Sequence, residues 1–182
     1  IKSSAASDVY KRQPDFKPDE SVMKVVSEAA LDPENYKYSL GDTDELLDAV
    51  CKWYKRRYNT VITPDEVASV FGTQEGMAHI ALALCNPGDL CLVPNPGYPI
   101  FEIGPFLCDA QIAYYNLLPE NDYLIDFDSI DEDTAKKAKM MVVSYPLNPV
   151  CATAPDEFYD KLIAFAKKYN IIIIHDLSLI HI

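Results

Sequence analysis

Val70-Phe71-Gly72-Thr73-Gln74-Glu75-Gly76-Met77 marks a change of period in the chain. Before it, Val67-Ala68-Ser69-Val70-Phe71 is a short apolar run with β-branched residues, which predicts a buried strand. After it, Met77, Ile80, Ala81 and Leu84 recur at helical spacing, so a helix is expected to start near Gln74. A strand-to-helix turn of this kind aims backbone N–H groups and the positive end of a helix dipole at one point, a natural seat for a phosphate. The same pattern also serves as an ordinary turn in an α/β protein. What tips the reading lies further on, at Pro94–Pro99, Asn148 and Asp176.

Working outward, the helix is closed by the turn Asn86-Pro87-Gly88-Asp89, and Leu90–Val93 reads as a second buried strand. That strand runs into Pro94-Asn95-Pro96-Gly97-Tyr98-Pro99, whose prolines hold Tyr98 on a stiff loop. Further strands are expected at Gln111–Tyr115, at Met140–Ser144, which leads into Tyr145-Pro146-Leu147-Asn148-Pro149, and at Ile171–Ile174, which delivers His175 and Asp176. Asp156–Tyr169 is a helix with Phe158, Leu162, Phe165 and Ala166 inward and Lys167-Lys168 at its C-terminal dipole.

Upstream, Asp19 or Ser21 caps a helix with Val22, Val25, Val26, Ala29 and Ala30 on one face. Asp42 and Glu45 have capping-box spacing for a helix carrying Leu46, Leu47, Val50, Trp53 and Tyr54, and Thr63-Pro64-Asp65-Glu66 repeats a start signal. Strands alternating with helices predict an α/β fold, a mostly parallel sheet with helices on both faces. Thr73, Tyr98, Asn148 and Asp176 each fall just beyond the C-terminal end of an expected strand, the edge where open α/β sheets bind ligands.

Composition narrows the function classes. The 182 residues carry a formal net charge of −12, and the arginines are Arg12, Arg56 and Arg57 alone, which argues against nucleic acid as a partner. Half the chain is apolar (49%), enough for a core, yet no run approaches membrane-spanning length and no signal-peptide core is read at the start. Five cysteines without CxxC spacing read as free thiols of a reducing, cytoplasmic compartment. Neither GxGxxG after a strand nor GxxxxGK[ST] occurs, so a dinucleotide fold and a P-loop NTPase are unsupported. His79 and His175 have no metal-ligand spacing and are read as structural or supporting residues.

The order Tyr-x4-Gly (Tyr36 to Gly41), GTQEG from Gly72, NPGD from Asn86 leading to PNPGYP, then Tyr145-Pro146-x-Asn148-Pro149 and a strand ending in Asp176 resembles class I/II aminotransferases. These are fold type I enzymes that use pyridoxal 5′-phosphate (PLP). The resemblance runs from about Pro14 to Asp176 and covers the front part of such an enzyme. It implies an N-terminal segment over 14–63 and the first part of the PLP-binding large domain over 64–176. Residues 1–13 and 177–182 are expected to be foreign or disordered tails. It implies that Thr73 and Gln74 hold the cofactor phosphate, largely through backbone N–H groups, and that Tyr98 stacks on the pyridine ring. Asn148 would bond the 3′-oxygen and Asp176 the ring nitrogen. Tyr36, with Tyr38 as its rival, would reach the phosphate of the neighbouring subunit in a homodimer. A carboxylate at about 4 Å and an effective dielectric near 20 contributes on the order of 4 kcal/mol, up to roughly three pKa units on the ring nitrogen.

Three departures stand out. The family usually writes Asn-Pro-Thr-Gly where this chain has Asn148-Pro149-Val150-Cys151, and a tyrosine where it has Leu179. The lysine that links covalently to the cofactor and the arginine that takes the substrate carboxylate lie downstream of the aspartate in the family. After Asp176 this chain has neither residue type, so the sequence reads as a truncated aminotransferase, inactive as written. Its substrates would be an amino acid and a 2-oxo acid. A carbon–sulfur β-lyase on the same fold, or a non-catalytic aminotransferase-like domain, are the alternatives.

Overall fold

The structure is a computed structural model that describes residues 16–177. The expectations for the tails fall outside these residues, Leu177 excepted. The chain forms two compact units that divide between Ala68 and Ser69.

The first unit is helical. Helix α1 (Glu20–Ala29) is capped by Asp19, whose carboxylate accepts the Ser21 N–H at 2.8 Å. Helix α2 (Asp44–Tyr58) starts one residue later than the Asp42 spacing predicts. Thr43 is the cap, its hydroxyl accepting from the Leu46 N–H, with Asp44 and Glu45 in the first turn and Lys55, Arg56 and Arg57 in the last. Asn59 ends it in the left-handed conformation (φ 53°). Trp53, Tyr54 and Tyr58 meet edge to face at 5.2–5.5 Å. The capping box at Thr63 and Glu66 forms, with the Thr63 N–H on the Glu66 carboxylate at 2.8 Å, but it opens only one 3₁₀ turn, Pro64–Glu66.

The second unit is α/β. Helix α3 (Thr73–Leu84) leads to strand β1 (Leu90–Asn95), helix α4 (Ile100–Leu107) and strand β2 (Gln111–Asn116). Helix α5 (Glu132–Lys137), strand β3 (Ala138–Ser144), helix α6 (Asp156–Tyr169) and strand β4 (Ile172–Asp176) follow. All pairings are parallel, and the strand order is β2-β1-β3-β4. The central strands β1 and β3 are buried almost end to end, as strands covered on both faces must be. Alternation assigns the faces. Cys91 faces α3, its sulfur 3.7 Å from that of Cys85, and through the register so do Met140, Ser144 and Asp176. His175 faces the other way, its ring 5.7 Å from Tyr159 of α6.

One expected strand is absent. Val67–Phe71 forms no strand; Val70 is 46% exposed and Phe71 fully so. A strand needs a partner for its N–H and C=O groups, and no described strand lies beside this run. Residues 67–71 have the composition of a strand without its pairing.

Candidate active site

The chain leaves β1 toward β2 on one side and then returns past β1 to β3, so β1 and β3 flank the switch point of the sheet. Ligands of open α/β sheets bind in the crevice beyond the strand ends at such a point. A cavity of about 200 Å³ lies there, lined by Thr73, Gln74, Met77, Tyr98, Ile100, Phe101, Ser144, Asn148 and Asp176. Five of the six residues singled out in the sequence therefore meet in one place. Tyr36 does not belong to this unit; in the first unit its hydroxyl donates to the Ala30 carbonyl at 2.7 Å.

Each wall has its own local cause. Gly72 takes φ +89°, a conformation L side chains rarely adopt, and turns the chain so that α3 begins at Thr73. Glu75 in the first turn accepts the Phe71 N–H at 2.6 Å and closes that turn from outside. The first turn of a helix directs its N–H groups outward along the axis, here at Thr73 and Gln74, which are both exposed.

Tyr98 is half-buried. The Gln74 side-chain amide donates to its hydroxyl at 2.8 Å, and Phe101 meets its ring nearly at right angles, centroids 6.3 Å apart. The peptide bonds Asn95–Pro96, Tyr145–Pro146 and Asn148–Pro149 are cis. Below Tyr98, Met77, Ile100 and Phe101 form an apolar floor.

Asn148 sits exposed on a loop whose other members are anchored. Tyr145 is buried against Phe158, its hydroxyl donates to the Tyr123 carbonyl at 3.1 Å, and burial pushes its phenol above the usual range. Leu147 is 1% exposed, and Ser144 donates to the Pro146 carbonyl at 3.2 Å. Cys151, at the position where the resemblance leads one to expect glycine, has φ 55°. That conformation costs an L-residue roughly 1–2 kcal/mol and glycine nothing. Cys151→Gly is therefore expected to raise stability by about 1 kcal/mol, once the greater freedom of glycine in the unfolded chain is counted. A lower urea midpoint for the variant would show that the cysteine is not strained there.

Asp176 ends β4 opposite Ser144 in the register, and both face the cavity. His175 is turned away by the strand period, which agrees with its reading as a supporting residue. Its Nε2 is buried with no hydrogen-bond partner among the described residues. Burial lowers the imidazole pKa, with Asp176 beside it pulling the other way.

Sequence reasoning missed Met77, Ser144, Ile100 and Phe101 as lining residues. Ser144 was within reach: it is the last residue of an expected strand, two positions beyond Val142 on the same face. Ile100 and Phe101 belong to α4, which the surrounding prolines hid.

The donors fit PLP. A helix N-terminus for the phosphate, a flat aromatic beside it, an amide and a carboxylate around one cavity match its anionic tail, planar ring, ring oxygen and ring nitrogen.

Comparison with known proteins finds relatives of the chain among aminotransferases. An LL-diaminopimelate aminotransferase of Halothermothrix orenii is 44% identical over 161 residues, 87% of this chain and 41% of that protein. The substrate-bound BacF structure from Bacillus subtilis superposes with a TM-score of 0.86 at 40% identity, covering 90% of this chain and 42% of that one. An alanine aminotransferase from Pyrococcus furiosus gives 0.81 at 29% identity, covering 89% and 41%. The chain thus spans about two fifths of the length of the relatives it matches. The family described as aminotransferase class I and II matches residues 7–179, and with that match and the parallel sheet of PLP fold type I, the chain belongs to the class I and II aminotransferases.

Proposed function

We propose that this chain supplies the cofactor-seating part of a PLP-dependent aminotransferase, which moves an amino group between an amino acid and a 2-oxo acid. The observation that carries the reading is the convergence of Thr73, Gln74, Tyr98, Asn148 and Asp176 on one cavity at the switch point of the sheet. When bound, PLP supplies an electron sink for the bonds of the substrate's α-carbon.

The chain's own residues prepare the seat. The N–H groups of Thr73 and Gln74 would take the phosphate, helped by the dipole of α3, worth about 0.3–1 kcal/mol and up to about 2 when partly buried. Tyr98 would stack on the ring and keep water from it. Asn148 would donate to the ring oxygen, and Asp176 would hold a proton on the ring nitrogen. Tyr36 would reach the phosphate of the neighbouring subunit in a homodimer. No lysine or arginine follows Asp176 in these 182 residues, so the covalent lysine and the arginine for the substrate carboxylate that the resemblance implies are not among them.

The relatives at 39–44% identity are LL-diaminopimelate aminotransferases, so LL-diaminopimelate is the first amino donor to test. We place the protein in the cytoplasm, where its five free cysteines stay reduced.

The test is a chimera that joins this chain to the remaining sequence of the Halothermothrix orenii relative. Amino transfer from LL-diaminopimelate to a 2-oxo acid is the expected result. Transfer by the intact relative but none by a folded chimera would overturn the assignment. Pyruvate and sulfide from cystathionine would favour the lyase instead.

A further inference from the structure

We infer that the Gln74 side chain is a positioning residue that holds the Tyr98 ring over the cofactor, apart from whatever its backbone N–H does for the phosphate. This rests on the reading of the cavity as the PLP seat. The Gln74 amide nitrogen lies 2.8 Å from the Tyr98 hydroxyl, across 24 residues of sequence. Gln74 stands in the first turn of α3, and Tyr98 follows β1, so the bond ties the phosphate end of the site to its stacking wall. Phe101 meets the ring at 73° and supports it from one side. The ring of a tyrosine on a half-exposed loop otherwise turns about two side-chain torsions, and a stacked ligand must freeze them. A ring already fixed at its hydroxyl and against Phe101 has less freedom left to lose on binding.

The bond has a further consequence. Gln74 reaches Tyr98 with its side chain while its backbone N–H is directed to the phosphate seat, so one residue sets both distances. A phosphate that draws on the first turn of α3 meets a ring whose position is set from the same turn.

Pyridoxine 5′-phosphate is the probe, because it carries the ring and phosphate but no aldehyde to react with lysines. Its affinity for the 182-residue chain, and the circular dichroism induced in its pyridine band, are measured for the parent, Gln74→Leu, Tyr98→Phe and the double variant. Both single variants are expected to bind about two- to tenfold more weakly, the factor one hydrogen bond is worth, and to lose induced dichroism per bound ligand. The double variant is expected to be no worse than either single one. Gln74→Glu, whose carboxylate accepts from the Tyr98 hydroxyl, is expected to keep the dichroism per bound ligand while its negative charge weakens binding. Additive losses in the double variant, or single variants that bind like the parent, would overturn the positioning role. A parent that gives no binding with folded protein would overturn the cofactor seat itself, a separate result.

Discussion

Asp176→Ala, made in the chimera, is expected to lower kcat for amino transfer by about a thousandfold and to leave the cofactor bound. The residue closes β4, pairs in register with Ser144 and shares its cavity with Thr73, Gln74, Tyr98 and Asn148. A carboxylate at contact distance from a ring nitrogen, at an effective dielectric near 20, is worth on the order of 4 kcal/mol. Losing that proton-holding partner costs roughly a factor of ten per 1.36 kcal/mol, hence about three orders of magnitude. Retention of the cofactor rests on a different part of the site, the first turn of α3 and the Tyr98 wall. Asp176→Asn keeps the shape and removes the charge, so it is expected to fall as far as alanine. Absorbance of the bound cofactor and steady-state rates decide the matter. A kcat within tenfold of the parent for either variant would remove Asp176 from the chemistry, and loss of the cofactor with the rate would make it a binding residue.

The parts of this fold that could be read in advance are those whose cause is local. Leu90–Val93, Gln111–Tyr115, Met140–Ser144 and Ile171–Ile174 are short apolar runs bounded by turns, and strands occur at all four, displaced by at most two residues at an end. The Asp156–Tyr169 helix is likewise where its period puts it. The failures share the opposite character. Val67–Phe71 is strand-like in composition, but pairing depends on residues far away in sequence, and no described strand lies beside the run. Helix α4 was not expected, because the prolines of Pro94–Pro99 read as a stiff loop and an eight-residue helix shows little period. Pro99 is its cap, and Pro105 stands six positions into an eight-residue helix. At the site, strand ends pointed to Tyr98, Asn148 and Asp176, since a parallel sheet gathers its strand ends at one edge, whereas the strand expected before Thr73 is absent and Gln74 was named through the family resemblance. The Gln74–Tyr98 bond was not legible, because no sequence spacing encodes a contact between two side chains 24 residues apart.

Gly104→Ala is expected to destabilise the second unit by about 3 kcal/mol, whereas Gly76→Ala in the facing helix is expected to stabilise it. Gly104 is buried on α4 where that helix crosses α3. A Cβ there would stand 2.6 Å from the Met77 carbonyl oxygen and 3.3 Å from both the Ala78 carbonyl oxygen and the Ala81 Cβ. Two of these three atoms are backbone, so no side chain can swing aside, and the helices must separate. Overpacking of this kind costs about 1–3 kcal/mol, and a rigid obstacle puts this case at the upper end. For a domain held by about 5–15 kcal/mol the loss is large, and the thermal midpoint is expected to fall by roughly 10 °C. Gly76 lies inside α3, where a Cβ would meet only the Val70 methyl groups at 3.6 Å, an ordinary contact. Replacing a helix-interior glycine there removes backbone freedom from the unfolded chain and is worth about 0.5–1 kcal/mol. Thermal or urea unfolding followed by circular dichroism reads both. A Gly104→Ala midpoint equal to the parent's would mean that α3 and α4 are not in backbone contact. The movement forced by that variant would also reach the site, because Met77 lines the cavity floor one turn from Thr73. Weaker binding of pyridoxine 5′-phosphate by Gly104→Ala, at temperatures where it is still folded, is therefore expected as well, and Gly76→Ala serves as the control that leaves the floor in place.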